Sequence, residues 1–154
     1  MKRKMVSLLL ALVGLVCMSS CSLTDKVNEW VKDLIGPSNG IVVGYDLETT
    51  ETRVVIIPKE KVGELNLIDY METIRINGGF TFEIENGMVT SVNGKANAAD
   101  FSSCWMLYTS DAEFSNAEWG TIEYEGKALG SAVVGAESLP VETDEVYIWE
   151  YVTF

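Results

Sequence analysis

Apolar and polar residues alternate along residues 80–92 with the two-residue period of a β-strand that buries one face. The apolar positions of the first half are Phe80, Phe82 and Ile84. We expect both phenylalanines in the core. Asn86-Gly87 supplies the two positive φ angles that a type I′ turn requires, and the chain returns through Met88 to Val92. The pattern predicts a β-hairpin with one buried face.

Five other segments carry strand patterns and extend the predicted sheet. Residues 41–47 and 53–58 flank a polar stretch and predict a hairpin or two short strands, the second of which ends at a proline. Residues 104–111 have large apolar side chains at successive positions, which predicts a strand buried on both faces. Strands at 121–126 and 145–154 complete the sheet.

The closing strand at 145–154 has two different apolar faces. One face carries aliphatic residues and the other carries aromatic residues, namely Val146, Ile148 and Val152 against Tyr147, Trp149 and Tyr151. Either both faces are covered within the domain, or the aromatic face is left for a partner. We expect both faces to be covered.

One segment of this part of the chain has the period of a helix. Residues 63–76 place their apolar side chains on one side of a helical wheel, and Asn77-Gly78-Gly79 is typical of a helix end. The apolar positions are Leu67, Ile68, Met71 and Ile74. The elements together predict an α+β fold with a mostly antiparallel sheet packed on one main helix.

The N-terminus has the pattern of a lipoprotein signal peptide over residues 1–20. Three basic residues precede an apolar run at 5–16, which is shorter than the roughly 20 residues that span a bilayer. The sequence MSSC at 18–21 resembles a bacterial lipobox. We therefore expect cleavage before Cys21 and acylation of its thiol, which would anchor the chain to a membrane.

Residues 21–40 are expected to form a lipidated tether with a short helix. Apolar residues recur there at helical spacing, at Val27, Trp30, Val31, Leu34 and Ile35. Gly36-Pro37 ends the pattern. We expect this stripe to pack on the domain or to dip toward the lipid surface. The folded domain is then predicted to extend over residues 41–154.

The charge balance disfavours two classes of partner. The 154 residues contain 23 acidic and 11 basic side chains, a formal net charge of −12, and signal-peptide cleavage would remove three basic residues and no acidic one. An excess of negative charge repels both nucleic acid and anionic lipid. We expect contact with the membrane through the lipid anchor, and no nucleic-acid partner.

The residue types present exclude several kinds of catalysis. The chain has no histidine, so no imidazole base or histidine-ligated metal is available. Lipidation of Cys21 would leave Cys104 as the one thiol of the mature chain, which allows no internal disulfide, and we expect it to be a buried apolar residue. Acidic clusters at 46–51 and 142–145 lack the glycine of a calcium loop, and we interpret them as solvated turns. Asp111 and Glu113 are an alternative acid/base pair, but no nucleophile accompanies them. We therefore expect no enzyme.

Three stretches, taken in order, carry a resemblance to a known family. They are GGFTFEIENGMVTSVNG at 78–94, CWMLYTSD at 104–111 and LGSAVVGAESLPVETDEVYIWEY at 129–151. They resemble the C-terminal β domain of transcobalamin and intrinsic factor, and more closely the bacterial transcobalamin-like domains, many of them lipoproteins of unassigned function. The resemblance covers residues 63–154 and implies a β-grasp-like arrangement, a sheet that curls over one helix. Residues 114–126 depart from it, and their Trp119 and Tyr124 form either a ligand wall or a hairpin.

The resemblance also implies a ligand site. In the vitamin carriers this domain closes over cobalamin held against a helical barrel, which these residues do not contain. The matching positions are Gly87, Met88, Val89, Trp105, Val134 and Gly135. For each of them the alternative is structural: strand packing for the aliphatic residues, core for the tryptophan, and turns that need open backbone geometry for the glycines.

These expectations indicate a non-catalytic binding module that is lipid-anchored on the extracytoplasmic side of a bacterial cell envelope. Its ligand would be cobalamin, another corrinoid or another flat hydrophobic molecule approached through aromatic and small-residue loops. The alternative is a surface module that docks a separate partner chain on an exposed strand or aromatic face.

Overall fold

The computed structural model describes residues 44–60 and 64–154. The predicted signal peptide, Cys21 and the segment 21–40 lie outside the described residues, as do the first three residues of the predicted 41–47 strand. None of the described residues forms a helix that is long and apolar enough to cross a bilayer.

The described residues form two antiparallel sheets and one helix. In chain order the elements are β1 (Tyr45–Thr49), β2 (Arg53–Pro58), α1 (Leu67–Ile76), β3 (Phe82–Glu85), β4 (Met88–Val92), β5 (Lys95–Ala96), β6 (Ser103–Thr109), β7 (Ser115–Tyr124), β8 (Lys127–Ala132) and β9 (Tyr147–Thr153). The larger sheet has the order β1-β2-β9-β6-β8-β7, and the smaller has the order β3-β4-β5. Every strand pair is antiparallel, which confirms the predicted α+β class with a mostly antiparallel sheet and one helix.

Helix α1 begins later than the sequence pattern predicts. The Asn66 side chain accepts a hydrogen bond of 3.1 Å from the Asp69 amide and caps the helix. Just before the cap, the Leu65 carbonyl accepts a hydrogen bond from the Val141 amide. The predicted start at residue 63 is therefore wrong, because residues 65 and 66 are held in another conformation by the cap and by a distant loop.

The main core lies between α1 and one face of the larger sheet. The helix contributes Leu67, Tyr70, Met71 and Ile74, whereas the predicted core residue Ile68 is only partly buried. The Trp149 indole N–H on β9 donates to the Met71 sulfur at 3.3 Å, so helix and sheet are in direct contact. Burial of large apolar side chains contributes about 1.5–3 kcal/mol each.

The opposite face of the larger sheet buries a second apolar cluster. Its members are Val55, Tyr108, Leu129, Val146 and Ile148. Burial and the Glu48 carboxylate on β1 raise the pKa of Tyr124 on β7, so these two side chains lie close together although β1 and β7 are the two edges of the sheet. The sheet must therefore curl until its edges approach, and this curl helps to enclose the second cluster. The prediction that β6 and β9 are covered on both faces is confirmed, because both strands contribute residues to the main core and to the second cluster.

Strands β3 and β4 form the hairpin that the sequence predicts at residues 80–92. Asn86 and Gly87 have φ angles of +51° and +79°, as the type I′ turn requires. Phe80 is buried and Phe82 is partly buried, but Ile84 is exposed. The pairing register shifts between Glu83 and Ile84, where Thr90 of β4 is left without a register partner on β3, and Ile84 pairs with the buried Val89.

Several predicted strands have different bounds in the structure: the strand predicted at 41–47 extends to Thr49, and those predicted at 104–111 and 145–154 are Ser103–Thr109 and Tyr147–Thr153. The 121–126 strand is the end of the longer β7, which pairs with β8 as a hairpin over residues 115–132. Residues 114–126 thus contribute to a hairpin, and the Trp119 side chain is exposed. Residues 130–132 of the small-residue sequence GSAVVGA belong to β8, so the loop that follows begins at Val133.

Candidate functional site

All six residues of the expected ligand site border one cavity of about 280 Å³. Gly87, Met88 and Val89 come from the β3–β4 turn and the start of β4, and Trp105 comes from β6. Val134 and Gly135 lie in the loop that follows β8. The structure thus brings together three segments that are separated by as many as 48 positions in the sequence.

Sequence reasoning missed four further residues that line the cavity. They are Ile68, Leu107, Ala136 and Trp149. Leu107 and Trp149 are register partners on the adjacent strands β6 and β9, and they form its floor together with the core. The alternation of β6 is a signal that places Leu107 on the same face as Trp105. No local pattern indicates that Ile68 of the helix reaches the same cavity.

The hairpin turn and the loop after β8 approach each other closely at the cavity. Gly87 has a φ of +79°, and a Cβ atom at this position would lie 3.1 Å from the Glu137 Oε2. A Cβ atom at Gly135 would lie 3.8 Å from the Gly87 carbonyl oxygen. Gly87 is therefore needed for backbone conformation as well as for this close approach.

The loop after β8 is held in place by the start of α1. The Leu67 amide donates to the Leu139 carbonyl at 2.7 Å, and the Ile68 amide donates to the Ala136 carbonyl at 3.0 Å. Both donors belong to the first turn of the helix, where no intrahelical acceptor exists. The Leu139 side chain is fully buried in the main core. The wall that contains Val134 and Gly135 is therefore fixed by backbone hydrogen bonds and by burial of one leucine.

Trp105 is a rigid wall of the cavity. Its indole N–H donates to the Lys95 carbonyl at 2.7 Å, and its amide donates to the Asn97 side-chain oxygen at 2.8 Å. The ring also packs edge-on against Tyr151, with 5.3 Å between the ring centroids. Because its polar atoms are paired outside the cavity, Trp105 presents an apolar surface to an occupant.

The cavity has no side chain that could take part in acid/base chemistry, since none of the ten lining residues is titratable. Cys104 alternates with Trp105 on β6 and is a free, partly buried thiol rather than a fully buried one, and burial raises its pKa. Within residues 44–60 and 64–154, no group of three or more Asp, Glu, Cys or His side chains is arranged to hold a metal ion. What the arrangement provides is an apolar surface of defined shape.

The acidic segments lie away from the cavity lining. Lys59 bridges the two acidic clusters, with its Nζ 3.0 Å from Asp46 and 3.8 Å from Asp144. The interpretation of the first cluster as a turn is wrong for Asp46 and Glu48, because both lie on β1. The Asp111 carboxylate accepts a hydrogen bond from the Glu113 amide, which makes this pair a local turn.

Tyr147 holds the C-terminal end of the loop that follows β8, and its buried hydroxyl makes the stability of the fold depend on pH. Its buried hydroxyl donates to the Pro140 carbonyl at 3.0 Å and accepts from the Glu142 amide at 2.9 Å. Burial is the main cause that raises the pKa of Tyr147 from 10.0 to about 12. The folded state therefore retains this proton at pH values where the unfolded chain loses it.

We expect the free energy of unfolding to fall as the pH rises above about 10, by at most about 1.4 kcal/mol per pH unit for this group. The contribution is complete below pH 10 and is lost as the pH rises toward 12, since the unfolded state binds fewer protons over this range. Urea unfolding across this range should show a shallower decline for Tyr147→Phe than for the wild type. Parallel curves for the two proteins would contradict the assignment.

No protein-family model matches this chain, and no curated protein or solved structure matches it.

Proposed function

We propose that this chain is a non-catalytic binding module that takes an apolar group into the cavity beside Trp105. The observation that carries the proposal is the meeting of Gly87–Val89, Trp105 and Val134–Gly135 around one cavity. Small ligands bind in concave, mainly apolar sites of this kind. The lining without titratable groups supports binding rather than catalysis. In this proposal the domain is transcobalamin-like and its fold is β-grasp-like.

The ligand we propose is a corrinoid or another flat hydrophobic molecule. A volume of about 280 Å³ is close to the lower end for small-molecule sites, so a corrin ring would insert only an edge. The remainder would lie on the mouth, where Met88 is half-exposed and the adjoining backbone is formed by glycine. Methionine adapts its shape to apolar ligands at little cost.

Titration of the full chain in a non-ionic detergent with cobalamin and cobinamide tests the ligand. Binding should shift the corrinoid absorbance and quench tryptophan fluorescence, because Trp105 and Trp149 both line the cavity. No change in either signal at a large excess of both compounds removes the corrinoid assignment.

A second candidate function is a surface module that docks a separate partner chain. The observation that favours it is a group of exposed apolar side chains on and beside the smaller sheet: Ile84, Met88 and Phe101. Exposed apolar groups of this kind mark protein interfaces when they are contiguous. Binding of a polypeptide without binding of any corrinoid would favour this function over the first.

The module is proposed to sit on the extracytoplasmic side of a bacterial envelope, held by acyl chains on Cys21. The short apolar run and the MSSC sequence support this location. Metabolic labelling with a fatty-acid analogue should mark the wild type, whereas Cys21→Ser should remain unlabelled, because it lacks the thiol that is acylated. The matched control is Cys17→Ser, which should still be labelled. Equal labelling of the wild type and Cys21→Ser, or no labelling of either, would remove the anchor.

A further inference from the structure

A second concavity lies on the outer face of the smaller sheet. It has a volume of about 400 Å³ and is formed by β3, β4, β5 and the residues that follow β5. We call it the outer groove, defined by Glu83, Glu85, Met88, Ala96, Ala98 and Phe101. Met88 borders both the outer groove and the cavity, so the two sites are neighbours.

The outer groove combines an apolar surface with negative charge. Met88 and Phe101 are 50% and 58% exposed there. Glu83 and Glu85 stand two positions apart on β3, and no basic side chain lines the groove. Among the described residues, neither carboxylate has an ion-pair or side-chain hydrogen-bond partner. Their charges are therefore available to a cationic occupant.

Phe101 is held in a conformation that does not favour phenylalanine. Its φ is +57°, in the left-handed region where glycine or asparagine is preferred. Its ring is mostly exposed, so burial among the described residues does not repay this conformational cost. Both features are understandable if the ring becomes buried when the groove is occupied.

We propose that the outer groove docks an extended segment of a partner protein in which basic and apolar side chains alternate. Charge complementarity selects this occupant, because two carboxylates stand beside an apolar floor and the whole chain has a net charge of −12. Residues two apart on an extended segment lie about 7 Å from each other, so its basic side chains match carboxylates spaced two positions apart on β3. Successive side chains of an extended segment point to opposite sides, so its basic side chains face Glu83 and Glu85 on β3 while its apolar side chains face Phe101, which follows the opposite edge strand β5. The docking rests on the second candidate function and deepens it, since it gives the chemistry of the partner, and it needs no ligand in the cavity.

Fluorescence anisotropy with a labelled peptide of alternating lysine and leucine tests the docking on the full chain in a non-ionic detergent. The wild type should bind this peptide, more weakly as salt is added, and should not bind its glutamate–leucine counterpart. The double variant Glu83→Gln/Glu85→Gln should weaken binding about tenfold at low salt. The matched control is Glu118→Gln/Glu123→Gln, which removes the same charge from exposed positions on β7 and should bind like the wild type.

A second variant separates docking from folding. Phe101→Gly should leave the melting temperature equal or higher, because glycine suits the positive φ, and should nevertheless weaken peptide binding. Absence of binding to the wild type, or an equal loss in the two double variants, overturns the proposal. So does full affinity in Phe101→Gly. Corrinoid binding should be unchanged in Glu83→Gln/Glu85→Gln, so failure of one site is distinguishable from failure of the other.

Discussion

Replacing Leu139 by alanine is expected to lower the free energy of unfolding by about 2–5 kcal/mol. The side chain is fully buried in the core between α1 and the larger sheet, and alanine would leave a void. The Leu139 carbonyl, which accepts the Leu67 amide hydrogen bond at the start of the helix, is retained in the variant, so the loss reports on packing of the side chain. Urea unfolding followed by tryptophan fluorescence measures the change.

The matched control is Val133→Ala in the same loop. Val133 is exposed, so this variant should change the stability by no more than about 0.5 kcal/mol. If Leu139→Ala were as stable as the control, the loop would not be anchored by this side chain. The rigid cavity wall inferred from it would then be incorrect.

Replacing Val134 by tryptophan is expected to abolish corrinoid binding, with at least about a tenfold loss of affinity. Val134 is partly buried and lines the cavity, so an indole at this position fills much of the 280 Å³. Val134 packs against the main core, so the larger side chain is expected to lower the free energy of unfolding by about 1–3 kcal/mol at most. Titration with cobinamide, followed by absorbance, measures the affinity.

The neighbouring residue offers a control with the same substitution. Val133→Trp adds the same indole beside the site, but Val133 does not line the cavity. Its affinity for the corrinoid should equal that of the wild type. Equal loss in both variants would indicate an indirect effect of the loop, and unchanged affinity in Val134→Trp would place the ligand elsewhere.

The β3–β4 hairpin shows which structural features local sequence patterns can predict. The turn at Asn86-Gly87 follows from the backbone preferences of two adjacent residues, and the structure confirms it. Ile84 belongs to the same alternation and pairs with the buried Val89, but it is 36% exposed, so the alternation alone did not decide its burial. Whether the pairing register shifts within a hairpin depends on the packing of both strands against the surrounding core, and no residue type in β3 or β4 predicts the shift.

The candidate site, too, was indicated only in part by the sequence. The resemblance to a known family indicated its six expected residues, and the structure shows how they meet. Ile68 could not be added from the sequence, because its helical position is equally consistent with the core. The end of β8 at Ala132 likewise depends on its pairing with β7, which no local pattern predicts.

The sequence by itself determined the elements whose signals are local: the main helix, the β3–β4 hairpin, and the two apolar faces of β6 and β9. Only the tertiary structure decided that Tyr124 and Glu48 of the two edge strands lie close together, and that Leu139 ties a distant loop to the start of α1. Periodicity and turn preferences act over a few residues. Contacts between distant segments depend instead on how the whole core is filled, which no single stretch of the chain encodes.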